Sequence, residues 1–137
     1  MALDRIRADK ELGLTVLLDA NALLMPFQFL INLDLELERL IGHARVIVLS
    51  PVRDEVYGLA QGGNRHAKAA LKLIEKYELV EWLGKGDDAI LDFARNNPDI
   101  VVVTNDRRLR EELANLGVKR IMMYKKGYLD WDGGEDQ

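Results

Sequence analysis

Cysteine is absent from the 137 residues. That excludes disulfide scaffolds, thiol catalysis, Cys-ligated zinc and iron–sulfur clusters together. Serine occurs once, at Ser50, directly before Pro51. No sequence around it resembles a nucleophile elbow, so serine-hydrolase chemistry is excluded as well. Only two histidines occur, His43 and His66, too few for a histidine-rich metal site. No apolar run approaches the ~18 residues needed to cross a bilayer, so no membrane partner is expected. The opening stretch MALDRIRADK is charged, so no secretory signal is expected there and a cytoplasmic location is the default. Basic residues are in the minority, 19 against 23 acids, for a net charge of −4. Any contact with nucleic acid must therefore use a local basic face.

What is present is apolar residue in quantity: 48% of the chain is hydrophobic, enough for one domain over residues 1–137 with a core of its own. Short apolar runs alternate with helical stretches. The runs are Thr15–Leu18, Arg45–Leu49, Leu79–Trp82, Ile100–Thr104 and Lys119–Tyr124. The strongest are continuous rather than alternating, as strands covered on both faces are. The spacing predicts a helix from Phe27 to Gly42, with Leu30, Leu33, Leu37, Leu40 and Ile41 on its apolar stripe. Ser50-Pro51 reads as N-cap and first position of a helix through Ala60. Asn64 caps the next, to about Tyr77. Further helices are expected at Asp87–Asn96 and at Asp106–Leu116, the last closed by Gly117. The alternation implies an α/β fold with a mainly parallel sheet of about five strands. The core spans about residues 14–128, and the acidic, Gly-rich tail 130–137 is expected to be loose.

In an open α/β sheet the site lies beyond the carboxyl ends of the strands. Asp19 follows the first strand, and Glu55 sits in the helix after the second. Asp87 and Asp88 open the helix after the third, and Asp106 follows Thr104-Asn105 after the fourth. Acids gathered without intervening bases repel one another. A divalent cation removes that cost, and all-oxygen ligands suit Mg²⁺ or Mn²⁺. Each acid also has an ordinary role open to it. Asp19 can cap the following turn, Glu55 can be solvated, Asp87 or Asp88 can be an N-cap, and Asp106 can pair with Arg110.

Four segments, VLLDANALLMPF, SPVRDEVYGLA, GKGDDAILDFA and VVVTNDRRLREEL, resemble the PIN domain over about residues 14–128. Within that family the likeness is to archaeal members similar to the rRNA-processing PIN nuclease of the eukaryotic small-subunit processome, and more distantly to VapC-type toxins. The resemblance implies a three-layer α/β/α sandwich and a Mg²⁺- or Mn²⁺-dependent endoribonuclease. It implies Asp19, Glu55, Asp87 and Asp106 as the catalytic, metal-binding acids. Asp87 matches the third acid by standing three residues before Ile90; its neighbour Asp88 is the alternative. Asn21 and Thr104, with Asp88 and Asn105, are implied as supporting groups. Partners implied are RNA, an rRNA precursor first, then a second copy of the chain, an antitoxin or a ribosome-assembly factor.

From Val103 to Lys126 seven basic residues stand against three acids. Arg107, Arg108, Lys125 and Lys126 from this stretch, with Arg65 and Lys68 from the helix after the glycine loop, are the candidate RNA contacts. Tyr124 and Tyr128 can stack on bases. Rival readings are a phosphotransfer α/β domain, which lacks its Asp-x-Asp because Asn21 stands at the second position, and a non-catalytic PIN module that binds RNA or protein. The toxin of a toxin–antitoxin pair is a third.

Overall fold

The computed structural model describes residues 14–125 and 127–133. Its strands are β1 (Leu14–Leu18), β2 (Ala44–Leu49), β3 (Glu78–Val80), β4 (Val101–Val103), β5 (Lys119–Tyr124) and β6 (Tyr128–Trp131). Its helices are α1 (Ala20–Phe29), α2 (Leu33–Ile41), α3 (Ser50–Gln61), α4 (Arg65–Ile74), α5 (Gly86–Asn96) and α6 (Arg107–Asn115). They make one sheet in the order β3-β2-β1-β4-β5-β6. All pairs are parallel except β5–β6. Among the described residues no helix is long and apolar enough to cross a membrane.

The continuous apolar runs explain the centre of the sheet. Val16, Leu17 and Leu18 of β1 and Val101, Val102 and Val103 of β4 are all fully buried. Successive side chains of a strand point to opposite faces, so both faces are covered. Helices α1, α3 and α4 pack on one another, α5 packs on α3 and α6, and α6 lies on β5. Burying Phe93, Leu109 and Leu113 from α5 and α6 adds about 1.5–3 kcal/mol each to the core.

Three departures from the sequence reading have clear causes. The helix expected over Phe27–Gly42 is two helices. Pro26 sits inside α1 rather than before a helix, and Leu30 ends it in the left-handed conformation, φ 58°. Asn32 then caps α2 by accepting from the Leu35 N–H at 3.1 Å. A continuous apolar periodicity ran across this break, and Leu30 itself is 91% exposed. A sixth strand, β6, was not expected, because Tyr128–Trp131 lies in an acidic, Gly-rich stretch. It pairs back on β5 through a tight turn, with Lys125 at φ 51°. The tail is correspondingly less loose than predicted. Asp130 and Trp131 are strand residues, and Asp132 donates its N–H to Arg120 O and pairs with Arg110 and Arg120. Residues 134–137 lie outside the described residues.

Edge strand β6 has open backbone groups, a hazard for pairing with other chains. Helix α2 covers it: Glu36 accepts from the Leu129 N–H at 2.8 Å, and the Arg39 guanidinium donates to Leu129 O. Glu36 and Arg39 are also an ion pair, 3.0 Å apart.

Candidate active site

Strand β1 has β2 on one side and β4 on the other. The chain moves outward from β1 in one direction through β2 and β3, then returns to build β4 and β5 on the other flank. Loops leaving β1 and β4 therefore diverge, and a cleft opens beyond their carboxyl ends. Of the polar residues buried among the described ones, three occupy that edge: Asp19 after β1, Ser50 after β2 and Thr104 after β4.

The cleft, of about 90 Å³, is lined by Asp19, Ala20, Asn21, Val52, Glu55, Gly86, Asp87, Ile90 and Asp106. The structure thus brings together all four acids singled out in the sequence, with Asn21. Among the described residues no basic side chain lines it.

Asp19 forms the floor, 5% exposed. It caps α1, its Oδ1 accepting from the Ala22 N–H at 2.7 Å. Burial pushes its carboxyl up to about 7, and the charges of Asp87 and Asp106 act in the same direction; bonds from the Thr104 hydroxyl and the Ala22 N–H offset part of the rise. Asp106 caps α6 in the same manner, accepting from the Leu109 N–H at 3.0 Å. The side chain of Arg110 pairs with Asp132 instead of Asp106. Capping and site duty do not exclude each other here. Each cap uses Oδ1, and the Asp19 carboxylate also takes the Thr104 hydroxyl.

Glu55 and Asp87 line the rim. Partial burial raises the carboxyl of each above its ordinary range, Asp87 adding to the effect on Glu55 and Asp106 to the effect on Asp87. Glu112 and Asp88 also act on Asp87, while Arg108 opposes them. Neither Asp87 nor Asp88 caps α5; Lys85 holds that position without a side-chain bond. Ile90 is buried and Asp87 lies one turn earlier on the same side, so Asp87 reaches the cleft. Asp88 is exposed and is not among the lining residues.

Thr104 and Asn105 stand behind the lining and connect it. The Thr104 hydroxyl bonds Asp19 and accepts from the Asp106 N–H at 3.0 Å. Asn105 donates its N–H to Asn21 Oδ1 at 2.9 Å and accepts from the Met123 N–H at 2.7 Å. The ends of β1, β4 and β5 are thereby tied into one unit.

Two contributors were missed in the sequence. Ser50 was read as an N-cap, but that position belongs to Leu49, and no side chain caps α3. The Ser50 hydroxyl instead accepts from the Trp82 N–H at 3.0 Å and donates to Trp82 O at 3.3 Å. This clamps the start of α3 to the loop before α5, the two elements that carry Glu55 and Asp87. Trp82 continues the support by packing edge-on against Phe93, centroids 4.8 Å apart. Glu112 was treated only as part of the charge count. Its one sequence signal is that it stands four residues after Arg108, with which it pairs at 3.3 Å.

The basic candidates divide. Arg107 and Arg108 follow Asp106 directly and point outward, their side chains 84% and 87% exposed. Each pairs with a glutamate four residues on, a screened contact of small energy. Lys125 is exposed in the β5–β6 turn. Arg65 and Lys68 are exposed on α4 and are not cleft-lining residues. Lys126 lies outside the described residues.

Four carboxylates, with no cation among the described lining residues, form an oxygen donor set, and burial together with mutual repulsion raises the carboxyls of Asp19, Glu55 and Asp87. That chemistry fits a hard divalent cation. Among the described residues no three such groups stand close enough together to form a closed cage. The acids line an open cleft rather than enclose a point.

Comparison with known proteins gives the family and the fold. The family described as PIN like domain matches residues 16–126. Ribonuclease VapC4 of Methanocaldococcus jannaschii is 31% identical over 120 residues, 82% of this chain and 92% of the relative. The chain belongs to the PIN-like domain family. Among solved structures, the PIN domain endonuclease Utp24 superposes with a TM-score of 0.74 at 20% identity, covering 86% of this chain and 90% of that one. PAE2754 from Pyrobaculum aerophilum is a looser likeness, TM-score 0.45 at 17% identity over 76% of this chain and 96% of that one.

Proposed function

We propose that this chain is a Mg²⁺- or Mn²⁺-dependent endoribonuclease acting in the cytoplasm. The observation that carries the reading is the convergence of Asp19, Glu55, Asp87 and Asp106 on one cleft that no basic side chain lines among the described residues. The similarity to ribonuclease VapC4 supports RNA as the substrate class.

Asp19 and Asp106 would hold the ion through carboxylate lone pairs that their helix caps do not use, with Glu55 and Asp87 completing the set from the rim. A bound divalent cation supplies Lewis acidity toward a phosphodiester and lowers the pKa of a water molecule. The chain's own part is positioning. Thr104 and the Ala22 N–H hold the Asp19 carboxylate still. Asn21 has its oxygen committed to Asn105, which leaves its amide nitrogen as a neutral donor in an otherwise anionic cleft. Arg107 and Arg108, just outside, attract the RNA backbone that the acids repel.

An rRNA precursor is the first substrate in this proposal, supported by the motif resemblance to rRNA-processing PIN nucleases. A VapC-type toxin held by an antitoxin is the second reading, favoured by the 31% identity with ribonuclease VapC4. Incubating the purified protein with labelled structured RNAs, with Mn²⁺ or with EDTA, tests the activity. Internal cuts that need Mn²⁺ and vanish in the Asp19→Asn variant are expected. Cleavage that survives both EDTA and Asp19→Asn would overturn the assignment.

A further inference from the structure

Tyr124 and Tyr128 are the last register pair of the β5–β6 hairpin. Their rings are stacked, centroids 5.8 Å apart and planes within 15°. The Tyr124 hydroxyl donates to Trp131 O at 3.0 Å, which fixes its ring. Tyr128 is 41% exposed, so the stack presents itself to solvent. Ordinary cross-strand packing would serve stability, but the location points further. Strand β5 runs parallel to β4, so the hairpin leaves the sheet at the edge where the acids gather. Met123, one residue before Tyr124, is bonded to Asn105, and Asn105 to the cleft residue Asn21. Two cations flank the pair. Lys125 lies in the turn, and the Arg39 guanidinium is held on Leu129 O, next to Tyr128.

We propose that the Tyr124–Tyr128 pair is a stacking platform for an unpaired RNA base, holding a single-stranded segment beside the acidic cleft. The proposal rests on RNA being the substrate and narrows it to RNA with unpaired bases. An aromatic face accepts any base, whereas a base inside a duplex has both faces already occupied. Lys125 supplies a phosphate contact that a stacked nucleotide needs, and Arg39, paired with Glu36, adds its field behind it.

The test is the affinity of the full chain in EDTA for a labelled, unstructured oligoribonucleotide and for a duplex RNA of equal length, read by fluorescence anisotropy. Tyr128→Leu keeps an apolar side chain in β6 but removes the ring; Tyr128→Phe keeps the ring. Wild type and Tyr128→Phe should bind the unpaired RNA alike and better than the duplex. Tyr128→Leu should bind it about fivefold or more weakly, the effect of losing one stacked base, with duplex binding unchanged. Equal affinity of Tyr128→Leu and wild type overturns the platform, as does an equal loss for both RNAs or a Tyr128→Phe variant as weak as Tyr128→Leu. Cleavage measured in parallel with Mn²⁺ separates the two proposals. Ring-dependent binding without any cutting removes the nuclease and keeps the platform. Cutting with unchanged Tyr128→Leu affinity does the reverse, absence of RNA binding in EDTA removes the platform, and absence of both binding and Mn²⁺-dependent cutting removes both.

Discussion

At the scale of single residues, Asp19 bears opposing demands. It must cap α1 from a buried position while neighbouring acids disfavour its charge. In the metal-free protein its carboxyl titrates near 7 rather than at its ordinary 3.8, so the folded state retains a proton that the unfolded chain releases. Stability is then full below the unfolded value and falls as pH rises through the folded one. The Asp19→Asn variant keeps an Oδ1 for the Ala22 N–H but carries no charge. It should lose cleavage and, in EDTA, gain up to about 4 kcal/mol over wild type at pH 8. Thermal melts in EDTA at pH 5 and pH 8 check this; a wild-type melting temperature no more pH-dependent than the variant's would contradict the burial argument. The adjacent pair Asp87-Asp88 gives a sharper contrast, since only Asp87 lines the cleft. Asp87→Asn should lower Mn²⁺-dependent cleavage by about 100-fold or more, the scale on which metal sites respond to lost partners. Asp88→Asn should retain most activity. Equal losses, measured as initial rates on one RNA, would show that both carboxylates serve the site.

At the scale of elements, the α1–α2 junction stores strain. Leu30 adopts φ 58° while 91% exposed, so its side chain gains little from packing. The left-handed conformation costs a non-glycine residue about 1–2 kcal/mol. After the extra chain entropy of glycine, Leu30→Gly should still stabilise by about 0.5–1 kcal/mol. A rise in Tm of about 2–4 °C is the readout; a fall would mean that Leu30 makes contacts worth more than the strain. The C-terminal hairpin depends on a different device. Asp132 joins Arg110 of α6 and Arg120 of β5, whose side chains are only 18% and 17% exposed. Asp132→Ala leaves two half-buried guanidiniums without their carboxylate and should cost about 1–3 kcal/mol. Urea unfolding with an unchanged midpoint would show that the Asp132 carboxylate adds nothing to the fold.

At the scale of the whole molecule, the charge-crowded cleft predicts that a cation acts as a folding ligand. Mn²⁺ at 100 times its dissociation constant should raise stability by about 2.7 kcal/mol, and the Asp19→Asn variant should respond less. Differential scanning fluorimetry across a Mn²⁺ titration reads both, and identical shifts for the two proteins would place the ion elsewhere. The elements and acids behind these predictions were legible in the sequence to different depths. The order of strands and helices was readable because continuous valine and leucine runs, such as Val101–Val103, have a local cause in burial on both faces. The four acids were readable because each lies within a few residues, or the first turns of a helix, past a strand end. The break at Leu30 was not, since an unbroken apolar period masked it, and neither was β6, whose acidic composition carries no strand signal and which exists by pairing with β5. The sequence by itself determined the five parallel strands, the helices from Ser50 onward and which acids reach the carboxyl edge, because helix caps, strand periodicity and turn residues act over a few neighbours. Only the tertiary structure decided that β4 returns beside β1 to open a cleft, that Ser50 clamps α3 to the approach to α5, and that Asn105 joins Asn21 to Met123. Each of these is a pairing between distant residues, selected by the burial and hydrogen bonding of the whole assembly rather than by any local preference.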